Sequence, residues 1–385
     1  MKRRWFCALL RVLSLLRGSG NRTIPSKLVG QYISYVKGLD QAILLGEAPS
    51  GGRWIAQQER VLAMNLPAGV VSDVLPVPDA WLGDTLGVHH DVLALGVHPV
   101  PFSKELKLCR TLRHSVLKPF EKGQLRMKDL ILLERWKSGE SIAVHRLQDA
   151  IILDEKRGHF GHWLFEQLPQ LRLLEDVEGL VIFINGADAW KLDLVESFGF
   201  PRERCFQYSG EEVFEIRNLW MTNGGRLGQE DLLWLREKAL SRFGIDPESP
   251  KRIFVSRRGV GSRFIANLDE IEPILFDFDI VVVRPEELGL EQSVRMFANC
   301  ELIIGPEGSG MRNMVWAEDL LVIEIFGHEV NFGQWSMATA LDFRYIPYVE
   351  PRASLGSEKR GRILDNGGFC IDPSRLRQFL HEALG

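Results

Sequence analysis

The feature that most constrains the fold is a regular alternation of short apolar runs and helix-like segments from residue 150 onward. Runs such as "LIIG" at 302–305 are apolar at every position and not only at every second one. A strand has this pattern when helices cover both faces of its sheet, and parallel strands need such crossover helices. The sequence therefore predicts an α/β fold with parallel sheets over residues 150–350.

A polar, turn-rich segment, "GIDPESPK" at residues 244–251, separates two alternating blocks. We interpret it as a linker, because clusters of Gly, Pro, Asp and Ser interrupt regular elements. The simplest architecture is then two Rossmann-like domains that face each other across a cleft. The predicted divisions are an N-terminal helix at 1–22, a first domain at 23–245, a second domain at 246–350, and a closing segment with a helix at 351–385.

The composition excludes some classes of protein. With 385 residues, 45% hydrophobic and 25% charged, the chain is long enough for two folded domains. A net charge of -4 gives no overall basic character for nucleic-acid binding. The five cysteines lie far apart without CxxC spacing, so we expect reduced thiols in a cytoplasmic protein and no metal.

Residues 1–22 carry only positive charges, and apolar residues recur there at helical spacing. The apolar stretch is interrupted by Arg11 and is shorter than the roughly 20 residues that a transmembrane helix needs. This pattern predicts an amphipathic helix lying on an anionic membrane surface. A helix packed on the protein itself, or a leader without fixed structure, is the alternative.

Two loops at predicted strand ends carry residues suited to phosphate. One is the glycine-bearing turn in "LIIGPEGSGMRN", and the other is the arginine-rich segment "VSRRGVGSR". Ligands of parallel sheets bind beyond the carboxyl ends of the strands, where helix N-termini and arginine forks favour phosphate. The candidate ligands are Ser256, Arg257, Arg258, Arg263, Gly308, Ser309 and Gly310. A tight turn and a solvated basic loop are the alternatives, since the glycine spacing matches neither GxGxxG nor a P-loop.

Two other patterns resemble metal sites. Asp277 and Asp279 form a DxD, but they open a predicted strand at the end opposite the expected ligand edge, so we interpret them as a turn. His89, His90 and His98 lack carboxylate or cysteine companions, so we do not interpret them as metal ligands.

Four separated segments resemble glycosyltransferase family 61 in order and spacing: "HWLFEQLPQL", "IFVSRRGVGSRFIAN", "LEQSVRMFANCELIIGPEGSGMRNMVWA" and "VIEIF". The resemblance covers roughly residues 150–350. It implies a GT-B fold with an acceptor-side first domain and a nucleotide-sugar-binding second domain. It also implies inverting, metal-independent transfer, in the bacterial branch for capsule and other surface polysaccharides.

The resemblance gives roles to particular residues. His162 is the first candidate for the catalytic base, followed by Glu166 and then Glu307, which stands where many members carry histidine. Further expected contacts are His159 and Trp163 on the acceptor side, and Asn313 and Glu324 on the donor side. Alternatively, His162 and Trp163 only fix their helix to its strand, and Asn313 and Glu324 are caps.

The expected substrates are a UDP-linked nucleotide sugar and a saccharide or lipid-linked saccharide. No cofactor, metal or nucleic acid is expected, and residues 1–20 are expected to bind the inner face of the cytoplasmic membrane. A catalytically degenerate nucleotide-binding partner in a polysaccharide assembly complex is the alternative function. A Rossmann dehydrogenase is disfavoured, because no GxGxxG fingerprint is present.

Overall fold

A computed structural model describes residues 37–38, 41–44, 85–95, 100–102, 108–109, 132, 135–136, 138–153, 160–184, 189–207, 212–222, 228–327, 333–350 and 368–385. Among them, the residues up to 222 form one compact unit and those from 228 onward form a second. The predicted N-terminal helix at 1–22 lies outside the described residues. No helix in the described ranges is long and apolar enough to cross a membrane.

The described part of the first unit contains a nine-stranded sheet. Its strands are β1 (Lys37–Gly38), β2 (Gln41–Leu44), β3 (Thr85–Leu95), β4 (Val100–Phe102), β5 (Leu108–Cys109), β6 (Val144–Leu153), β7 (Val181–Ile184), β8 (Cys205–Gln207) and β9 (Val213–Thr222). The order is β1-β5-β4-β3-β9-β6-β7-β8, and β2 also pairs with β3.

This sheet is mixed, so the first domain is only in part the Rossmann-like unit that the sequence predicted. Strands β9, β6, β7 and β8 run parallel, as the alternating pattern predicted. The long strand β3 instead pairs antiparallel with β9, and β2 and β4 pair antiparallel with β3. The sequence before residue 150 shows only short apolar runs between Pro and Gly. The pairing of β2, β3 and β4 could therefore not be predicted.

An irregular helical segment follows β6. It begins with an α-helical turn, Phe160–His162, continues as a π-helix, Trp163–Gln167, and ends as a 3-10 helix, Leu168–Leu174. Pro169 stands at the start of the 3-10 part, where its missing N–H prevents α-helical bonding. The other helical elements of this unit are α1 (Ala189–Ser197) and the 3-10 helix Arg202–Arg204.

The second unit contains the predicted parallel sheet. Its strands are β10 (Arg252–Val255), β12 (Val281–Val283), β13 (Leu302–Pro306), β14 (Leu321–Phe326) and β15 (Arg344–Val349), in the order β12-β10-β13-β14-β15. All four pairings are parallel. Strands β13 and β14 are buried at every position, as their apolar runs predicted. Two short strands, β11 (Phe264–Ile265) and β16 (Gly368–Phe369), form a separate parallel pair.

The helices of this unit are α2 (Gln229–Phe243), α3 (Leu268–Asp277), α4 (Leu290–Ala298), α5 (Gly333–Ala340), α6 (Pro373–Leu384) and the 3-10 helices Pro285–Glu287 and Ser309–Trp316. Helices α3 and α6 pack on one face of the sheet, against Leu321, Ile323 and Ile325 of β14. Asp372 caps α6, because its side chain accepts hydrogen bonds from two backbone N–H groups of the first turn.

Residues 244–251 do not form the predicted linker between domains. The backbone N–H of Asp246 donates to Arg295 O at 3.1 Å, and Asn299 donates to the carbonyls of Pro247 and Ser249. Helix α2, which lies before this segment, also belongs to the second unit, where Arg236 donates to a backbone carbonyl at 2.7 Å. The segment is therefore part of the second unit and does not link the first unit to the second.

Candidate functional site

Strands β10 and β13 are neighbours in the second sheet, and the strand order reverses between them. From β10 the chain passes to β12 on one side, and from β13 it passes to β14 on the other. In open α/β sheets, ligands bind outside the carboxyl ends of the strands at such a switch point. The arginine-rich loop follows β10 and the glycine-bearing turn follows β13, so the structure brings these two motifs together.

The glycines allow the two loops to approach closely. A Cβ at Gly305 would lie 2.7 Å from Val255 O, and a Cβ at Gly310 would lie 2.8 Å from Val255 Cγ1. A Cβ at Gly308 would lie 2.0 Å from a terminal nitrogen of Arg257. The Arg257 guanidinium therefore lies directly against the backbone of the turn, a position that requires glycine at 308.

Arg257 is a half-buried cation. Its Nε donates to Ser262 O at 3.2 Å. Burial lowers the pKa of Arg257, and the nearby Arg263 charge lowers it further, while Glu307 and Glu286 act in the opposite direction. A desolvated arginine next to a second arginine is stabilised by a bound anion, and phosphate oxygens match its fork geometry.

Arg263 forms an ion pair with Glu307. Arg263 has a φ of 57°, in the left-handed region, and Glu307 lies just beyond β13 with its side chain 11% exposed. The pair joins the two loops through opposite charges. Glu307 is thus engaged with a cation and is not a free carboxylate.

Glu324 lies on β14 beside Gly305 and is fully buried. Tyr345 on β15 donates its hydroxyl to Glu324 Oε2 at 2.5 Å. Burial raises the pKa of Glu324 to about 8, and the Glu307 charge adds to this effect, while the Tyr345 hydrogen bond and Arg263 oppose it. The carboxyl group is therefore neutral at pH 7.

The structure does not bring every predicted donor residue into this cluster. Arg258 is exposed and forms an ion pair with Asp269 on α3, away from the turn. Ser256 is buried, and its hydroxyl accepts a hydrogen bond from the Arg258 N–H at 3.1 Å, so it caps the loop. Asn313 bonds within its own 3-10 helix, to Gly310 O and the Trp316 indole, and Ser309 is exposed at the start of that helix.

Two residues near the cluster were not predicted. Gln334 on α5 is 2% exposed, and its Nε2 donates to Gly308 O at 2.8 Å. Tyr345 contacts Glu324 as described above. The sequence does not single them out, because α5 (GQWSMATA) and β15 (RYIPYV) each contain other polar residues.

In the first unit, His162 and Glu166 form a pair at the start of the irregular helical segment. His162 Nδ1 lies 2.5 Å from Glu166 Oε1, and the two side chains are 34% and 30% exposed. A carboxylate in this position orients the imidazole ring and fixes which nitrogen carries the proton.

Trp163 does not present a face on which a sugar could stack. It is 0% exposed, meets Trp190 edge-on at 6.2 Å, and has Lys191 Nζ 5.4 Å from its ring centroid. Trp163 therefore packs within the first unit, which agrees with the alternative interpretation that it fixes its helix and does not contact the acceptor. His159 lies outside the described residues.

The DxD segment is a turn, as predicted. Asp277 ends α3 and pairs with Arg377 at 2.7 Å, and Asp279 has a φ of 57° before β12. In the ranges that the structure describes, no three His, Cys, Asp or Glu side chains converge as metal ligands would.

The parallel sheet and the basic, glycine-containing switch point define an α/β protein with a candidate anion site. The model of the family Glycosyltransferase 61 matches residues 160–323, a range that includes the His162–Glu166 pair and both loops. This match supports the assignment of the chain to glycosyltransferase family 61, and with it a glycosyltransferase enzyme. Among curated proteins, none matches the chain significantly.

Proposed function

We propose that the protein transfers a sugar from a nucleotide sugar to a saccharide or lipid-linked saccharide, with inversion and without an essential metal. The observation that carries this proposal is the cluster of Arg257, Arg263 and the Gly308 turn at the switch point of the second sheet. The family match supports sugar transfer as the reaction. Synthesis of a bacterial surface polysaccharide such as a capsule is the proposed setting.

The donor diphosphate is proposed to bind at Arg257 and Arg263. As the glycosidic bond of the donor breaks, negative charge grows on the leaving diphosphate, and fixed cations stabilise that charge in the transition state. Backbone N–H groups of the turn at 308–310 would assist. UDP is the proposed nucleotide, and Glu324 a donor contact.

His162 is the proposed base, because inversion requires removal of a proton from the attacking acceptor hydroxyl. The close contact with Glu166 supports this role, since it would orient the ring. Glu166 remains the second candidate. Glu307 is less suited, because its carboxylate is already engaged in an ion pair with Arg263.

Binding to the inner face of the cytoplasmic membrane is part of the same proposal, and its support is the basic, amphipathic sequence of residues 1–20. A lipid-linked acceptor would be available at that surface. Removal of residues 1–20 should shift the protein from the membrane to the soluble fraction, and unchanged fractionation would refute this part.

Calorimetric titration with UDP, GDP and CMP, in EDTA and again in Mg²⁺, tests the donor site. We expect one nucleotide to bind in EDTA and Arg257→Ala to weaken its binding roughly 10- to 100-fold, because a charged hydrogen bond to phosphate is lost. Arg258→Ala is the matched control, since Arg258 pairs with Asp269 on the exposed surface, and its affinity should stay within about twofold of wild type.

If no nucleotide binds, the proposed donor site is refuted. If a nucleotide binds equally well to both variants, the diphosphate does not contact Arg257. Nucleotide binding without sugar turnover, for any acceptor offered, would favour the degenerate partner in a polysaccharide assembly complex.

A further inference from the structure

Two buried side-chain oxygens in the second unit have no hydrogen-bond donor among the described residues. They are Oε1 of Glu324, which is 0% exposed, and Oε1 of Gln334, which is 2% exposed. Buried polar groups in folded proteins are nearly always paired, because an unpaired group loses its hydration without compensation. An unpaired acceptor beside a candidate binding site indicates a partner supplied by the ligand.

Both side chains adjoin the turn after β13. Glu324 pairs in register with Gly305, and Gln334 donates its Nε2 to Gly308 O at 2.8 Å. Alternate residues of β14, Ile323 and Ile325, pack with helices α3 and α6. Because successive strand residues point to opposite faces, Glu324 points to the other side of the sheet from those two helices.

The chemistry of these two oxygens differs from that of the neighbouring arginines. The Gln334 oxygen can only accept a hydrogen bond, and a neutral carboxyl group can both donate and accept. A phosphate oxygen, which is only an acceptor when ionised, cannot satisfy Gln334. Hydroxyl groups suit both side chains, because a hydroxyl can donate to the Gln334 oxygen and can donate to or accept from the carboxyl group.

We propose that Glu324 and Gln334 form a hydroxyl-binding subsite for a sugar ring of the nucleotide sugar, beside the arginines that hold its diphosphate. Tyr345 is a positioning residue in this subsite, because its hydroxyl fixes Oε2 of Glu324. The inference rests on the proposed function. The hydroxyl belongs to the ribose or to the transferred sugar.

Binding ratios separate these two sources. Calorimetry would measure UDP, 2′-deoxy-UDP, and the UDP conjugates of glucose, galactose, N-acetylglucosamine and xylose, or the guanosine equivalents if GDP is the nucleotide that binds. We expect wild type to prefer the ligand with the hydroxyl by about tenfold, the effect of one well-formed hydrogen bond in a buried site. Loss of the preference for UDP over 2′-deoxy-UDP in a variant assigns the ribose. Loss of the preference for a UDP-sugar over UDP assigns the transferred sugar.

The variants are Gln334→Met and Glu324→Leu, which remove the two oxygens with little change in size, and both should reduce the ratio to near one. Glu324→Gln keeps a neutral group with hydrogen-bonding capacity and should retain most of the preference. Gln378→Met is the matched control, because Gln378 is exposed on α6 and donates to Glu382 there. Thermal unfolding of each variant checks that it folds.

Three results would count against the subsite. Unchanged ratios in both Gln334→Met and Glu324→Leu would overturn it. Equal weakening of every ligand by both variants would also overturn it, since the residues would then only support the Gly308 turn. Failure of wild type to bind any nucleotide would instead refute the proposed function, and the subsite with it.

Discussion

The buried carboxyl of Glu324 links the stability of the second unit to pH. Its pKa is raised to about 8 from an ordinary value near 4.5. Below pH 4.5 the group is neutral in both the folded and the unfolded chain. Between pH 4.5 and 8 the Glu324 carboxyl is ionised in the unfolded protein but stays protonated in the folded protein. The free energy of unfolding therefore falls as the pH rises.

Glu324→Gln removes this dependence, because the amide stays neutral at every pH. We expect the variant to gain stability over wild type as pH rises from 4.5 to 8, by a few kcal/mol and at most about 5. Tyr345, Glu307 and Arg263 also act on the carboxyl group and remain in the variant. Chemical unfolding at several pH values measures the difference, with the exposed Glu382→Gln as control. A difference that stays constant with pH would contradict a neutral Glu324.

The pair of His162 and Glu166 leads to a kinetic prediction. A positioned base contributes about 10²- to 10⁴-fold to a rate, so His162→Ala should lower kcat by at least about 100-fold while nucleotide affinity is unchanged. Glu166→Gln should lower kcat less, by about tenfold, because the ring loses only its orienting carboxylate. His381→Ala, at an exposed position on α6, is the control. A kcat within threefold of wild type in His162→Ala would exclude it as the base.

At the residue scale, sequence patterns located the candidate site but did not distinguish its members. Arg257 and Arg258 are adjacent in the same loop, and the sequence gives no reason to separate them. The structure separates them: Arg258 pairs with Asp269 on α3, whereas Arg257 lies against the turn, where Gly308 leaves room for it. Asp269 lies on the next helix and Gly308 follows another strand, so both contacts depend on how these elements pack and not on the pattern of the loop itself.

At the scale of elements, the turn after β13 has two glycines with different constraints. A Cβ at Gly305 would meet the backbone oxygen of Val255, which the sheet holds in place. A Cβ at Gly308 would meet the flexible Arg257 side chain, which can move aside. Substitution by alanine should therefore affect stability at Gly305 and ligand binding at Gly308.

We expect Gly305→Ala to destabilise the protein by about 1–3 kcal/mol, the usual cost of overpacking a buried site. Gly308→Ala should change stability little but displace Arg257, and so weaken UDP binding roughly tenfold. Thermal unfolding and calorimetry on both variants test the two effects, and Gly261→Ala is the control, because nothing lies within 4 Å of a Cβ there. Equal loss of stability in the two variants would contradict this division.

Periodicity predicted the elements of the second sheet well and those of the first only in part. Strands β13 and β14 are buried at every position, and apart from Glu324 they carry no charged residue, so their sequence indicates a sheet covered on both faces. Strand β3, in contrast, takes its place in the sheet by pairing with β9, whose residues lie more than a hundred positions later in the chain. Such long-range antiparallel pairing leaves no local signal in "TLGVHHDVLAL" that fixes its partner.

At the scale of the whole molecule, the boundary between the two units depends on the unit to which helix α2 belongs. The sequence placed it in the first domain because a polar segment follows it. In the structure it contacts α4 and the 3-10 helix Ser309–Trp316. Leu235 on this helix is fully buried, and Arg236 donates to Val315 O at 2.7 Å. The energetics of α2 should therefore be coupled to the second sheet.

Hydrogen exchange in Leu235→Ala tests this coupling. Truncating a buried leucine costs about 2–5 kcal/mol, which should increase the exchange of amides in the unit that the leucine stabilises. We expect faster exchange in β10 and β13 and unchanged exchange in β6 and β7. Leu194→Ala, in the buried face of α1, is the matched control and should give the opposite pattern. Faster exchange of β6 and β7 in Leu235→Ala, with β10 and β13 unchanged, would instead place α2 energetically with the first unit.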